Sequence, residues 1–209
     1  MRNELNQLTT ELPFTPVTFM EIGSRDGHDT KHVADYWNLN PKDCYIIEAY
    51  PALCDRIKTM YPQFNTFGFA ASNKIGTVEF NAVPLTDHDN NIGISSILEC
   101  VAYDVPSDKI SVETNTISNF LDYLGLESID LIKIDVEGFT QEVLHGFEDK
   151  LHNIKAIQIE TEKSEMWKGQ KIHDDIVEFM ESKGFTLLNK YDAWGNQYDC
   201  LFINNKASN

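Results

Sequence analysis

Val17-Thr18-Phe19-Met20-Glu21-Ile22-Gly23-Ser24-Arg25-Asp26-Gly27 reads as a buried strand delivered into a glycine-bearing turn. The β-branched and aromatic residues up to Ile22 suit a strand, and the two glycines give the turn its backbone freedom. A helix is expected next, around Lys31 to Trp37, with Asp29 or Thr30 as its cap. Strand, glycine turn and helix make the opening unit of an open parallel sheet. Such sheets bind their ligands beyond the carboxyl ends of the strands.

The rest of the chain continues the alternation. Cys44 to Glu48 is a second strand, and Pro51 opens a helix with Leu53, Ile57 and Met60 on one face. A third strand is expected over Phe64 to Ala70 and an inserted one over Gly76 to Phe80. The stretch from about Pro84 to Ser107 has no period; its length and its Asn, Gly and Ser content suggest a lid over a bound acceptor. Thr116 caps a short helix carrying Phe120, Leu121 and Leu124, which Gly125 ends. The most apolar strand, Ile129 to Val136, follows, then a helix over Gln141 to His145. Ile154 to Ile159 is a further strand, ending in Glu160-Thr161-Glu162. Ile172, Ile176, Phe179 and Met180 share a helix face that stops at Gly184. Phe185 to Lys190 and Asp199 to Ile203 flank a turn too short for a parallel crossover, so they pair antiparallel. The fold class is therefore α/β with a mostly parallel, Rossmann-like sheet. Residues 1–209 form a single domain, with 1–14 a helical extension (Leu5, Leu8 and Leu12 at helical spacing) and 84–107 the lid loop.

Composition narrows the partners. Seventeen basic against 33 acidic residues give a net charge of −16. That charge repels phosphate backbones and anionic lipid, so no nucleic-acid or membrane partner is expected. No stretch approaches the ~18 apolar residues of a membrane span, and the N-terminus lacks a signal-peptide core. Cys44, Cys54, Cys100 and Cys200 show no paired spacing and no accompanying histidines, which points to a reducing cytoplasm. A carbohydrate or small polar molecule is the expected substrate, and a homo-oligomer is compatible with this composition.

The chemistry-bearing residues gather at the strand ends. The turn is E-x-G-x-x-x-G, not the G-x-G-x-x-G of dinucleotide sites, and Glu21 would oppose a pyrophosphate. An acid there suits a cation such as an amino-acid ammonium. Glu48, ending the second strand, is placed to accept hydrogen bonds from two ribose hydroxyls. Together these favour a nucleoside with a cationic amino-acid tail, the character of S-adenosylmethionine. Asp135 and Glu137 straddle the end of the apolar strand, and Glu160 and Glu162 end the next. Such a group can deprotonate a hydroxyl, bind a divalent cation or anchor a sugar. Asp135, Glu137 and Glu160 are the catalytic candidates, and Asp135 with Glu160 is a candidate site for Mg²⁺ or Mn²⁺. Lys133 lies on the same strand parity as Asp135 and is expected to pair with these acids structurally. His28 and His88 sit in loops, and Trp167 and Trp194 fall where an aromatic ring can stack on a sugar face.

Phe19 to Gly27 resembles methyltransferase motif I, and Ile47-Glu48-Ala49-Tyr50-Pro51 resembles the acidic ribose-binding motif. Gly93-Ile94-Ser95-Ser96-Ile97, Ile132-Lys133-Ile134-Asp135-Val136-Glu137-Gly138 and Val143-Leu144-His145-Gly146 are similar to the signatures of FkbM-type methyltransferases. The resemblance runs from about Val17 to Ile203. It implies a class I methyltransferase sheet of seven strands with the last antiparallel, S-adenosylmethionine as donor, and O-methylation, often of sugars. It places Glu21, Gly23, Ser24 and Gly27 around the methionine portion and Glu48 and Ala49 at the ribose. Ala70 and Ala71 would border the adenine, with Asp135 and Ser96 near the transferred methyl. The chain departs from the usual motif in carrying Glu21 and Ser24-Arg25 where an aspartate and a pair of small residues are common. Two other classes stay open on the residues alone: a nucleotide-binding oxidoreductase, and a cofactor-binding module without catalysis. A non-sugar acceptor stays open within the methyltransferase class.

Overall fold

The computed structural model describes residues 11–85, 92–193 and 195–206. The opening stretch forms β1 (Phe19–Ile22), every residue of it buried, followed by helix α1 (His28–Trp37). Then come β2 (Cys44–Ile47), α2 (Pro51–Met60, with Pro51 in its first turn) and β3 (Asn65–Phe67). The second half supplies α3 (Ile117–Leu124), β7 (Leu131–Ile134), α4 (Thr140–His145), β8 (Ala156–Glu162), α5 (His173–Ser182), β9 (Phe185–Asp192) and β10 (Gln197–Asn204). Between the halves lie β4 (Ala70–Ala71), β5 (Gly76–Ala82) and β6 (Asp108–Asn115).

Seven strands form one sheet in the order β3-β2-β1-β7-β8-β10-β9. All neighbours are parallel except β10, which runs antiparallel to both β8 and β9. The expected mostly parallel sheet with an antiparallel last strand is thus the observed one. The chain winds outward from β1 to β3, then returns to place β7 on the other side of β1. That reversal of strand order opens a crevice at the carboxyl ends of β1 and β7.

Alternation along each strand builds the two faces. Met20, Ile22, Ile132, Ile134, Ile157 and Ile159 pack with Phe120, Leu121, Val143 and Met180. Phe19, Ile46, Leu131 and Ala156 pack with Val33, Ala34 and Ile57 on the other side. Glu21 and Lys133 are register partners and belong to this second face by parity. The same parity brings them under α1.

Several local expectations change. The third strand breaks at Gly68: β3 joins the main sheet, whereas β4 pairs with β6 in a separate three-stranded sheet, order β4-β6-β5. The sequence reading leaves 108–115 unassigned, although Ile110, Val112 and Thr114 alternate there as a strand requires. Helix α1 starts at His28 with Gly27 before it in the left-handed region, so neither Asp29 nor Thr30 is the cap. Thr116 does cap α3, its Oγ1 accepting from the Asn119 N–H at 3.1 Å. Of the N-terminal extension, Leu12 and Phe14 pack against the second core face, and residues 1–10, with Leu5 and Leu8, lie outside the described residues. Cys44, Cys54, Cys100 and Cys200 are free thiols. Among the described residues, no helix is long and apolar enough to cross a membrane.

Candidate active site

At the carboxyl ends of β1, β2, β7 and β8 lies a cavity of about 720 Å³, within the range of small-molecule sites. Gly23, Ser24, Glu48, Ala49, Ala70, Ala71, Asp135, Glu137 and Glu160 all line it. Glu21, Gly27 and Ser96 do not line it.

On the β1–β2 side, the loop after β1 is held by its neighbours. Gly23 has φ +82°, and a Cβ there would sit 1.8 Å from the Asp135 carbonyl oxygen. Gly27 has φ +75°, and its Cβ would meet the Tyr61 ring at 2.8 Å. Both glycines are thus required by close packing of protein on protein. The Glu48 carboxylate accepts from the Arg25 N–H at 2.8 Å and from the Tyr50 N–H at 2.7 Å. It is clamped to the loop after β1 and still lines the cavity. Burial raises its pKa above the ordinary carboxylate value, against the pull of those two amides.

Glu21 differs from the expectation that it faces a ligand cation. It is 1% exposed and turned toward α1, where its Oε2 accepts from the Thr30 N–H at 3.0 Å and from the Thr30 hydroxyl. Strand parity is the reason: β1 residues 19 and 21 share the face that α1 covers. Burial, with Asp29 beside it, pushes the Glu21 carboxyl up to about 8. Asp29, read from sequence as a helix cap, is among the lining residues instead. Its carboxylate pairs with Lys133 at 2.5 Å. Lys133 Nζ also reaches Asp135 Oδ2 at 3.0 Å, so the expected lysine–acid pair is present with an unexpected second acid. Burial works against the Lys133 ammonium, but Asp135 and Asp29 outweigh it and hold its pKa well above the ordinary lysine value.

The opposite wall is acidic. Ile134 and Ile159 are register partners on parallel β7 and β8, so Asp135 and Glu160 emerge side by side. Glu137 joins them because the chain turns with φ +50° at Glu137 and +85° at Gly138. One oxygen from each of Asp135, Glu137 and Glu160 lies within 4.8 Å of the others. Burial first, then repulsion from Asp135, raises Glu137 and Glu160 well above the carboxylate range. Glu160 also accepts from Gln197 Nε2 at 2.8 Å. Asp199 is the register partner of Glu160 across β10; both it and Gln197 line the cavity. The sequence reading missed them, and the signal was the hairpin register, which sets them beside the end of β8.

Gly93, Ser95 and Ile97 from the segment expected to be a lid also line the cavity. Residues 86–91, with His88, lie outside the described residues. The described part is stitched down: Asn81 Nδ2 donates to the carbonyls of Ser96, Ile97 and Leu98. The Ser96 hydroxyl donates to the Glu137 carbonyl at 2.7 Å, which makes Ser96 a pin for the Glu137 turn. Trp167 is 1% exposed and packs against Gly138, so its ring is not offered to a sugar. Trp194 lies outside the described residues.

A family model for the methyltransferase FkbM domain matches residues 21–187. The chain belongs to the FkbM methyltransferase family. Among curated relatives, 2-O-methyltransferase NoeI of Sinorhizobium fredii is 27% identical over 214 residues, covering 96% of this chain and 84% of that protein. Methyltransferase sdnD of Sordaria araneosa is 34% identical over 95 residues, 41% of this chain and 35% of that one. The solved structure of methyltransferase FkbM from Methylobacillus flagellatus superposes with a TM-score of 0.60 at 11% identity, over 92% of this chain. This chain spans only 44% of that one. A SAM-dependent methyltransferase from Aquifex aeolicus gives 0.52 at 10% identity, over 96% and 89% of the two chains. The structural likenesses carry the fold. The FkbM chain described here is an S-adenosylmethionine-dependent methyltransferase.

Proposed function

We propose that this FkbM methyltransferase O-methylates a hydroxyl of a sugar or sugar-like small molecule. The observation that carries the reading is the pairing of two walls in one cavity. On one wall the Glu48 carboxylate is fixed by two backbone amides; on the other, Asp135, Glu137 and Glu160 converge. Glu48 accepts the ribose hydroxyls, Gly23 and Ser24 border the methionine portion, and Ala49, Ala70 and Ala71 border the nucleoside. S-adenosylmethionine supplies an electrophilic methyl on a sulfonium, whose sulfur leaves as a neutral thioether. The carboxylates, with Gln197 and Asp199, accept hydrogen bonds from a polyol and hold one hydroxyl in line for transfer. That hydroxyl is a poor nucleophile at neutral pH, so an oxygen of the Asp135–Glu137–Glu160 group takes its proton as the O–CH₃ bond forms. Repulsion among the three acids is relieved by a shared proton or by a hard cation. That the relative NoeI is a 2-O-methyltransferase supports oxygen as the nucleophile. Incubation with labelled S-adenosylmethionine and a pooled library of glycans and small polyols tests the reading. Label in a sugar ether is expected; label on nitrogen, or only in non-sugar acceptors, would replace it.

A further inference from the structure

We propose that Asp135, Glu137 and Glu160 form a site for one divalent cation, Mg²⁺ or Mn²⁺, which holds the acceptor hydroxyl. The three ligand oxygens lie within 4.8 Å of one another. Around a cation with bonds of ~2.1 Å, opposite ligands stand ~4.2 Å apart and adjacent ones ~3 Å. At least two of the three pairs would have to be adjacent, so side-chain movement of up to about 2 Å closes the three oxygens on one ion.

A second observation singles out a ligand. The Glu137 Oε2 oxygen is buried and has no hydrogen-bond partner among the described residues, and Glu137 lines the cavity. Buried polar atoms in native proteins are almost always satisfied, so an orphan carboxylate oxygen facing acids calls for a ligand, and a cation is the one that suits it. Acids dominate its surroundings: Asp135 and Glu162 act on it as like charges, against a smaller opposing pull from Lys133. A hard cation supplies what this oxygen lacks. Glu137 is also held in place from behind, its carbonyl bonded by Ser96 and its following glycine wedged against Trp167, where a Cβ would come to 2.9 Å.

A cation held by three carboxylates keeps positions open for acceptor oxygens. It would lower the pKa of a bound hydroxyl without consuming a protein base, and the released proton passes to a cluster carboxylate or to water. This role rests on the methyltransferase reading, but the test of the site does not.

Purified full-length protein, with and without S-adenosylhomocysteine, is titrated with Mn²⁺ while the free-ion electron paramagnetic resonance signal is followed. One Mn²⁺ per chain is expected, displaced by excess Mg²⁺. Glu137→Gln and Glu160→Gln should each weaken it roughly tenfold or more, whereas Glu181→Gln, on an exposed position of α5, should not. S-adenosylhomocysteine binding by calorimetry on the same samples shows that the variants are folded. Absence of stoichiometric Mn²⁺ binding up to about 1 mM, or binding that both variants leave intact, overturns the site. Wild-type protein that takes up Mn²⁺ but not S-adenosylhomocysteine would keep the metal and remove the donor placement; the converse removes the metal alone.

Discussion

Replacing Glu48 by alanine separates a ligand-binding carboxylate from a structural one. In the protein, each Glu48 oxygen already accepts one backbone amide, from Arg25 at 2.8 Å and Tyr50 at 2.7 Å. Each oxygen retains a further acceptor position for a ribose hydroxyl. Hydrogen bonds to a charged acceptor are worth ~1.5–3 kcal/mol each, and part of the gain is lost to desolvating and ordering the ribose hydroxyls. A net loss of roughly 2–3 kcal/mol in S-adenosylhomocysteine binding follows, or about 30- to 150-fold in Kd at ~1.4 kcal/mol per decade. The substitution also leaves the two amides unpaired, at ~1–3 kcal/mol each if they stay dry, so a lowered melting temperature is expected beside the weakened binding. Calorimetry well below the melting temperature reads the first effect, and thermal melts read the second. A Kd within a factor of two of wild type, beside a lowered melting temperature, would show that Glu48 only ties the loop after β1 to the end of β2. The same reasoning sets a pH dependence. Burial raises the Glu48 pKa, so binding should weaken as mild acid protonates the ribose acceptor.

Glu21→Gln should flatten the dependence of stability on pH. The folded carboxyl sits at about 8 against an ordinary 4.5, so its protonated form stabilises the fold fully below the lower value, and that contribution disappears as pH rises through the upper one. The loss is on the order of 4 kcal/mol; denaturant midpoints from pH 5 to 9 with the same slope in both proteins would refute it. Gly23→Ala should destabilise by roughly 3 kcal/mol or more, because its Cβ would overlap the Asp135 carbonyl at a positive φ. A melting temperature within a degree or two of wild type would show that the β1 loop can give way.

What could be read in advance divides along a physical line. Alternation, turn glycines and the closeness of the final hairpin are local signals, and they delivered β1, β2, β7, β8 and the antiparallel end. They also placed Glu48 at the end of β2, and Asp135 and Glu160 at the ends of the neighbouring β7 and β8. Side-chain direction at a rim is decided by partners distant in sequence, and there the reading diverged. Glu21 stands at a strand end that resembles a ligand contact, but Thr30 and the α1 face claim it. Ser96 lies in a signature segment and serves the Glu137 backbone. Asp29 fits a cap by residue type, yet Lys133, 104 positions away, turns it into an ion-pair partner. Parity alone could have predicted the Glu21 result, since residues 19, 21, 131 and 133 share one face. Nothing short of the folded pairing could have predicted the second acid on Lys133.

That shared lysine bears on how an acidic cavity can methylate at all. A transferable methyl leaves a sulfonium, so positive charge is dispersed as the reaction proceeds. Carboxylates near the donor stabilise the cationic ground state more than the transition state, and such binding does not accelerate chemistry. The cavity therefore gains from any charge that offsets its acids without blocking them. Lys133 does this between Asp29 and Asp135, and a proton or cation does it at Glu137 and Glu160. The relative affinity for S-adenosylmethionine and its neutral product reports this balance without any acceptor. Lys133→Met removes one positive charge, worth on the order of 1–2 kcal/mol in a partly solvated site. It should shift the ratio about tenfold toward the sulfonium. Glu137→Gln should leave the ratio unchanged or shift it the other way. The double variant Lys133→Met, Asp29→Asn removes one charge of each sign and should return close to the wild-type ratio, which also controls for a damaged fold. Equal ratios in all four proteins would mean that Lys133 acts on the fold alone and that the donor sulfonium lies out of its reach.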